Sequence, residues 1–209
     1  MRQIGSLLVR LNLETRSYHA EVDKPWLDLI EGERVPSRHA YMQCLLRAYG
    51  FDSPLEAALR YTKNFDQLVD MTGRYRAGFI AQDLLSLGLG PAQVAIVPQL
   101  MIAPFANLAE ALGWLYVHER ATLAHQTLRH ELCLRLPELE EACAYAGAYD
   151  GQVGARIDDL GLQLEQLCRS KAAGDAIIAG AHDGFRQAIE WLRAAEPLGQ
   201  TQRAVTPTS

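Results

Sequence analysis

The segment from Phe105 to Leu134 constrains the fold most strongly, because no proline interrupts it and apolar residues recur around much of its helical circumference. This pattern predicts one long central helix that is buried on several sides and closed by Pro137. The composition agrees, since 31 leucines and 29 alanines stand against nine valines and nine isoleucines. Leucine and alanine favour helices, whereas the β-branched residues that suit a sheet are scarce. We therefore expect an all-α fold.

Apolar spacing and the positions of proline and glycine predict the remaining helices. Their approximate ranges are 6–22, 38–49, 53–72, 76–87, 137–149, 153–168 and 175–195. Pro25 ends the first helix or opens the next, Gly50 stops the second, and Ser53-Pro54 provides an N-cap and a proline at the first helical position of the third. A loop rich in proline and glycine occupies 88–104.

The chain length of 209 residues suits one domain, and neither an internal repeat nor a composition shift divides it. We expect residues 1–195 to form a single multi-helix bundle of about eight helices. Residues 196–209 are polar and lack periodicity, which predicts a disordered tail.

Charge and hydropathy restrict the partners. The net charge is −5 and the basic residues are scattered, so nucleic acid and anionic membrane surfaces are poor candidates. Apolar runs are too short for a signal sequence or a membrane span, which predicts a cytoplasmic protein. The cysteines form no C-x-x-C pair and are expected to be reduced core residues: Cys44, Cys133, Cys143 and Cys168.

The sequence does not contain the common catalytic motifs. His118-Glu119 resembles the start of the zinc motif H-E-x-x-H, but Thr122 stands where the second histidine is needed. His125 is seven residues from His118, about 10.5 Å along a helix axis, which is too far for one ion. The sequence also contains no repeated E-x-x-H unit, no glycine-rich nucleotide loop and no serine-hydrolase motif.

His19 is the residue of greatest chemical interest. It falls on the apolar stripe of the first helix, with Leu8 and Thr15 in nearly the same direction. One interpretation is a core histidine bonded to a carbonyl group. The other is a ligand to a metal or metallocofactor, since a neutral imidazole on a buried helical face is a common iron ligand. Periodicity does not choose between them.

The residues around His19 resemble a known family. Leu11, Thr15, His19 and Asp23 are similar to the L-x-x-x-T-x-x-x-H-x-x-x-E opening of heme oxygenases, with Asp23 in the place of glutamate. Four later stretches match the family in the same order, and the one at Ala111–Val117 resembles its bacterial, phytochrome-associated branch. These stretches are Tyr49-Gly50-Phe51 with Pro54-Leu55-Glu56, Asp83–Leu89, Ala111–Val117 and Ala181–Leu192. The resemblance implies the helical heme oxygenase fold, with His19 as the ligand of heme iron.

The sequence departs from the family in the distal helix, where the branch reads E-G-S-T-L-G-G. This chain has Glu119-Arg120-Ala121-Thr122-Leu123-Ala124-His125, so all three glycines are replaced. In the family these glycines let the helix bend and bring its backbone close to the heme. Ala124 adds only a methyl group, but the long side chains of Arg120 and His125 must point away from the pocket or change it.

Two hypotheses follow for the distal residues. If His125 faces the iron, heme is held between His19 and His125 as a second ligand, and no position is open for oxygen. Alternatively, His125 and Arg120 lie on a solvated or helix-facing side and the pocket is only tighter. Glu119 is either a hydrogen-bond partner in the pocket or a residue on a solvated edge.

The resemblance also implies basic side chains and a tyrosine that anchor the heme propionates. The candidates are Arg10, Arg16, Tyr116 and Arg156. The sequence assigns no catalytic residue beyond the iron ligand.

The family resemblance implies oxidative cleavage of heme b, as both substrate and cofactor, to biliverdin, carbon monoxide and ferrous iron. The electrons would come from an external ferredoxin or reductase, and a bacteriophytochrome pathway is a candidate recipient of the product. The alternative is a non-catalytic protein on the same fold that binds heme, another tetrapyrrole or a protein partner.

Overall fold

The computed structural model describes residues 6–31, 37–149 and 151–194. Within these ranges the chain is helical and contains no strand, which confirms the predicted all-α domain. The helices are α1 Ser6–Glu31, α2 Arg38–Tyr61, α3 Ala77–Ser86, α4 Pro91–Ala95, α5 Leu108–Arg120, α6 His125–Arg135, α7 Ala144–Gly147, α8 Val153–Leu167 and α9 Lys171–Ala194. Two 3-10 segments, Ala121–Ala124 and Pro137–Ala142, follow α5 and α6. The predicted tail at 196–209 lies outside the described residues.

Helix α1 continues through Pro25, so the predicted end at Val22 is wrong. The last turns of α1 bury Leu29 and Ile30 in an apolar core that they share with the first half of α2. This burial favours continuation of the helix despite the missing proline N–H group.

Helix α2 is also continuous, so the predicted stop at Gly50 and the predicted start at Ser53 are both wrong. Pro54 cannot donate a hydrogen bond to the carbonyl of Gly50 four residues earlier. The N–H group of Leu100 donates to that oxygen instead, at 2.8 Å. Gly50 is needed for packing, because a Cβ there would lie 2.5 Å from the carbonyl oxygen of Pro98 and from the ring of Trp191. Helix α2 ends at Tyr61, well before the predicted Thr72.

The predicted long helix over 105–134 is interrupted. Asn107 caps the start of α5 by accepting a hydrogen bond from the N–H group of Glu110, and the 3-10 segment Ala121–Ala124 separates α5 from α6. The expected central position is confirmed for α5, which is buried along most of its length. The α-helix is therefore interrupted at the end of α5 although the chain has no glycine there.

The other predicted helices agree with the structure to different degrees. The ranges predicted for α3 and α8 match within one residue, and α9 begins four residues earlier than predicted, at Lys171. The segment 137–149 contains a 3-10 turn and the short α7, and the loop 88–104 contains α4. All four cysteines carry free thiols, as expected; Cys143 is buried in the core, and the other three are half-buried and pack against it.

Helices α5 and α9 pack backbone against backbone. A Cβ added at Gly113 would lie 2.3 Å from the carbonyl oxygen of Ile177 and 2.4 Å from the nitrogen of Ala181. A Cβ added at Gly180 would lie 2.7 Å from the carbonyl oxygen of Glu110. Glycine is thus required on both helices, and α9 fixes the position of α5 in the bundle. In the part of the chain that the structure describes, no helix is both long and apolar enough to cross a lipid bilayer.

Candidate functional site

A partly open cavity lies between α1, α2, α5 and α9. Aromatic and aliphatic side chains dominate its wall, and a few polar groups accompany them. The lining residues used below are Trp26, Phe51, Tyr145, Phe185 and Trp191 among the aromatic ones, and Arg47, Asp52, His118 and Arg120 among the polar ones. Such a wall suits a large, mostly apolar ligand that carries a few polar groups.

His19 lies on α1 beside this cavity and is half-buried. Its ring is tilted against that of Phe185, with the centroids 5.5 Å apart. Burial, together with the positive charge of Arg120, lowers the pKa of His19 to about 4, and Asp23 only partly opposes this shift. The imidazole is therefore neutral at pH 7, which is the form that binds a metal ion.

Thr15 and Tyr116 lie close to His19. The Thr15 hydroxyl donates to the carbonyl oxygen of Leu11 at 2.7 Å and lies 3.1 Å from Nε2 of His19. This contact engages Nε2 of the His19 ring and leaves Nδ1 outside the contact. The buried Tyr116 packs edge-on against Phe185 at 6.2 Å, and burial raises the pKa of its hydroxyl, which interacts with Thr15. Thr15 thus contacts the His19 ring directly, and Tyr116 supports it through Thr15 and Phe185.

Arg120 and Asp23 form a bidentate ion pair between the end of α5 and α1. Arg120 Nη1 lies 2.5 Å from Asp23 Oδ1, and Nη2 lies 2.7 Å from Oδ2. The two side chains are only 11% and 21% exposed. Arg120 therefore faces helix α1 and lines the cavity, and it does not lie on a solvated side of α5.

The α-helix is interrupted after α5 without glycine. Ala121 lines the cavity, and Ala121–Ala124 adopts 3-10 geometry, which tightens the helix locally. The Thr122 hydroxyl donates to the carbonyl oxygen of Glu119 at 2.7 Å and so satisfies one acceptor at the end of α5. Ala124 is half-buried and does not line the cavity. The glycine replacements therefore do not produce one continuous α-helix through this segment.

His125 is buried behind Tyr145, with their ring centroids 4.5 Å apart. The cavity is lined by Tyr145 and not by His125. Among the described residues, neither ring nitrogen of His125 has a hydrogen-bond partner. Burial, helped by the charge of Arg76, lowers the pKa of His125 to about 3, so the ring is neutral. This placement does not support His125 as a second iron ligand.

A buried polar network lies on the other side of α5. Glu119 is fully buried and its Oε2 lies 3.1 Å from Arg74 Nη1, so the solvated-edge interpretation of Glu119 is wrong. Arg74 also contacts Asp159 at 2.7 Å. His118 Nε2 donates to the carbonyl oxygen of Arg74 at 3.0 Å, and its Nδ1 accepts from Arg76 Nη2 at 2.7 Å. Together these contacts fix the proton of His118 on Nε2.

Arg76, at the centre of this network, connects it to α2. Its Nη2 lies 3.2 Å from Asp52 Oδ2. Burial alone would raise the pKa of Asp52, but the guanidinium group of Arg76 holds it below its usual value. Glu56 Oε1 accepts from the N–H groups of Arg76 and Ala77 at the start of α3, and burial raises the pKa of this carboxyl group. Asp52 and His118 are the two members that reach the cavity wall.

Three members of the network have the spacing of a metal site. Ligand atoms of Asp52, Glu56 and His118 lie within 4.8 Å of one another. The guanidinium group of Arg76 already neutralises Asp52 and engages His118 Nδ1, so a second cation at this position would be repelled. The cluster is therefore an internal ion-pair network.

The predicted propionate anchors lie at different places. Arg156 stacks on the ring of Tyr149 at 4.0 Å, away from the cavity lining. Arg10 pairs with Glu14 and Asp175 on the surface, and Arg16 is exposed. Among the described residues, the arginines that line this cavity are Arg47 and Arg120.

Several cavity residues were missed by sequence reasoning. They come from four helices that are distant in sequence, and they are Trp26, Arg47, Asp52, Tyr145 and Trp191. A signal existed for Asp52, because it directly follows Tyr49-Gly50-Phe51 in the stretch that resembles the family.

Comparison with known proteins extends these observations. The sequence model of the family described as "Heme oxygenase" matches residues 5–194, which is nearly all of the chain. A search of curated proteins finds no match.

Proposed function

Because the chain belongs to the heme oxygenase family, we propose that it binds heme in the cavity between α1, α2, α5 and α9 and cleaves it oxidatively. The products would be biliverdin, carbon monoxide and ferrous iron. The observation that carries the proposal is the neutral imidazole of His19 beside a cavity lined mainly by aromatic and aliphatic side chains.

The chemistry of the wall supports heme b as the ligand. A porphyrin presents two flat apolar faces and two carboxylates, and the cavity offers aromatic rings together with the arginines Arg47 and Arg120. When bound, heme supplies the oxygen chemistry through its iron. The protein's residues would orient the macrocycle and exclude bulk water.

His19 would hold the iron. Its pKa of about 4 keeps a lone pair available across the physiological range, since protonation is complete only well below that value. Phe185, which packs against both His19 and Tyr116, would fix the imidazole plane relative to the cavity. Asp23, which stands in the place of the family's glutamate, has both carboxylate oxygens engaged by Arg120.

Asp52 and His118 are polar groups of the cavity wall. Each is buried and held by Arg76 in one orientation. We propose that they order water at the distal side of the heme. The electron donor would be an external ferredoxin or reductase, the protein would act in the cytoplasm, and a bacteriophytochrome pathway would use the product.

A second candidate function is heme or tetrapyrrole binding without cleavage. The specific observation in its favour is the guanidinium of Arg120, which occupies cavity space where the family has a glycine. Both candidates use His19, and they differ in turnover.

Hemin titration followed by reduction tests both candidates. We expect the wild-type protein to give a Soret band at one equivalent, and ascorbate or a reductase to convert it to biliverdin. A stable Soret band that persists under reductant would favour binding alone. His19→Ala should lower hemin affinity at least about tenfold and shift the Soret band, because the axial ligand is removed.

His39→Ala is the matched control, since His39 is an exposed histidine at the start of α2. It should leave the titration unchanged. Equal affinity and identical spectra for wild type and His19→Ala would refute the ligand role of His19.

A further inference from the structure

The ion pair between Arg120 and Asp23 joins the two helices that flank the cavity. Both of its hydrogen bonds are short, at 2.5 Å and 2.7 Å, and the side chains are 11% and 21% exposed. A bidentate, partly buried pair of this kind is stronger than a surface salt bridge. It therefore restrains α1 against the end of α5.

The pair lies in the path of a ligand that would reach His19. Asp23 follows His19 by one helical turn on the same face of α1, with Cβ atoms about 5–6 Å apart. Arg120 lines the cavity, and its charge acts on His19. A porphyrin is wider than one helical turn of 5.4 Å. A macrocycle seated on His19 would consequently meet the guanidinium group where it bridges to Asp23.

We propose that the Arg120–Asp23 pair is a latch that closes the cavity in the ligand-free protein and must open before a macrocycle can bind at His19. This inference rests on the proposed function, since it needs a flat ligand at that site. The latch makes the open form a minor population, and the apparent affinity falls in proportion to that population. Its removal should therefore increase both the rate and the affinity of hemin binding.

The opposite role for Arg120 gives an opposite result. If its guanidinium binds a propionate of the ligand, loss of the side chain weakens binding, because a carboxylate loses its partner. Loss of Asp23 would strengthen binding in either case, since it frees Arg120. The Arg120 variants therefore decide between latch and anchor.

The experiment measures hemin association by stopped-flow absorbance at the Soret band. It compares the wild type with Asp23→Asn, Arg120→Ala and the double variant. We expect each variant to associate about tenfold faster, and the double variant to be no faster than Arg120→Ala, because the two residues act as one pair. Arg120→Lys gives a second test, since it keeps the charge but loses the bidentate geometry.

Matched controls come from the same helices. Asp28→Asn removes a carboxylate from α1 whose pair with Lys24 is exposed. Arg193→Ala removes an exposed arginine of α9 that pairs with Glu21 on α1. Neither pair contributes to the cavity lining, so both controls should bind hemin at the wild-type rate.

Urea unfolding of the ligand-free proteins gives a readout that does not depend on heme. Asp23→Asn and Arg120→Ala should each destabilise, and the double-variant cycle should show coupling between them. A cycle without coupling would overturn the latch even if hemin binding changed.

The remaining outcomes separate the latch from the proposed function. A His19-dependent Soret band with equal rates in all variants overturns the latch and leaves the function intact. Slower or weaker binding by Arg120→Ala overturns it in favour of an anchor. A His19-dependent band that appears only in the variants supports a latch that is closed in the wild type. No His19-dependent band in any protein refutes both proposals.

Discussion

The two sides of α5 are stabilised in different ways. Towards α9, Gly113 lets the backbones of the two helices touch, and the contact is apolar. Towards α2 and α3, His118 and Glu119 enter a buried network of charged groups that is centred on Arg76 and Arg74. The first side depends on the absence of a side chain, and the second depends on the presence of paired charges. Adding a side chain should therefore destabilise the side towards α9. Removing a charged group should destabilise the side towards α2 and α3.

The largest effect is expected for Arg76→Met on the charged side. This change keeps the stem of the side chain but leaves Asp52 buried without its cation, and it removes the donor to His118. Loss of one partner of a buried pair costs about 3–5 kcal/mol. Urea unfolding should show a decrease of this size in the free energy of unfolding.

Arg186→Met is the control for this prediction, because its pair with Asp183 on α9 is exposed. We expect Arg186→Met to lower the free energy of unfolding by less than about 1 kcal/mol. The combination of Arg76→Met with Asp52→Asn should recover part of the loss, since the unpaired charge is gone. A loss for Arg76→Met no larger than that for Arg186→Met would show that the network does not stabilise the fold.

The next largest effect is expected for Gly113→Ala on the apolar side. The added methyl group would lie 2.3–2.6 Å from three backbone atoms of α9, and backbone atoms can move apart only if the helices separate. Overpacking of this kind costs about 1–3 kcal/mol and occasionally more, which thermal or urea unfolding would detect.

Gly78→Ala is the matched control on α3, where a Cβ meets no atom within 4 Å. This substitution should be neutral or stabilise by about 0.5–1 kcal/mol, because alanine favours a helix. If Gly113→Ala were equally harmless, the contact between α5 and α9 would not be limited by backbone approach.

The sequence predicts the parts of the fold that local pattern determines. The bounds of α3 and α8 were predicted within one residue, and the stripe that carries His19 does lie beside the cavity. In these cases the pattern and the burial of the residues agree.

The features that were missed depend on residues distant in sequence. Pro54 is tolerated inside α2 because Leu100 supplies the hydrogen bond that the proline cannot. Arg120 and Asp23 stand 97 positions apart, and no local pattern predicts their pairing. The cavity likewise depends on helices α1, α2, α5 and α9, which only the tertiary fold brings together.

The smallest effect at neutral pH is expected for His125→Phe, which lies at the margin of the charged side. Among the described residues the imidazole has no hydrogen-bond partner, and its main contact is the ring of Tyr145. Phenylalanine keeps that ring contact and loses no bond. We expect the free energy of unfolding at pH 7.5 to change by less than about 1 kcal/mol.

The effect of His125→Phe should appear as the pH falls. In the folded protein the pKa of His125 is lowered to about 3, whereas in the unfolded chain the imidazole binds a proton near its ordinary value of 6.5. The unfolded state therefore binds more protons between these values, and stability is lost as the pH falls below 6.5. Without this histidine, the slope of unfolding free energy against pH should be shallower by up to about 1.4 kcal/mol per pH unit. His19, whose pKa is also lowered, keeps part of the slope. The exposed His39 provides the control, and His39→Phe should leave the slope unchanged. An unchanged slope for His125→Phe would mean that His125 binds a proton in the folded protein as readily as in the unfolded chain. His125 would then belong to the buried network of charged groups instead of lying at its margin.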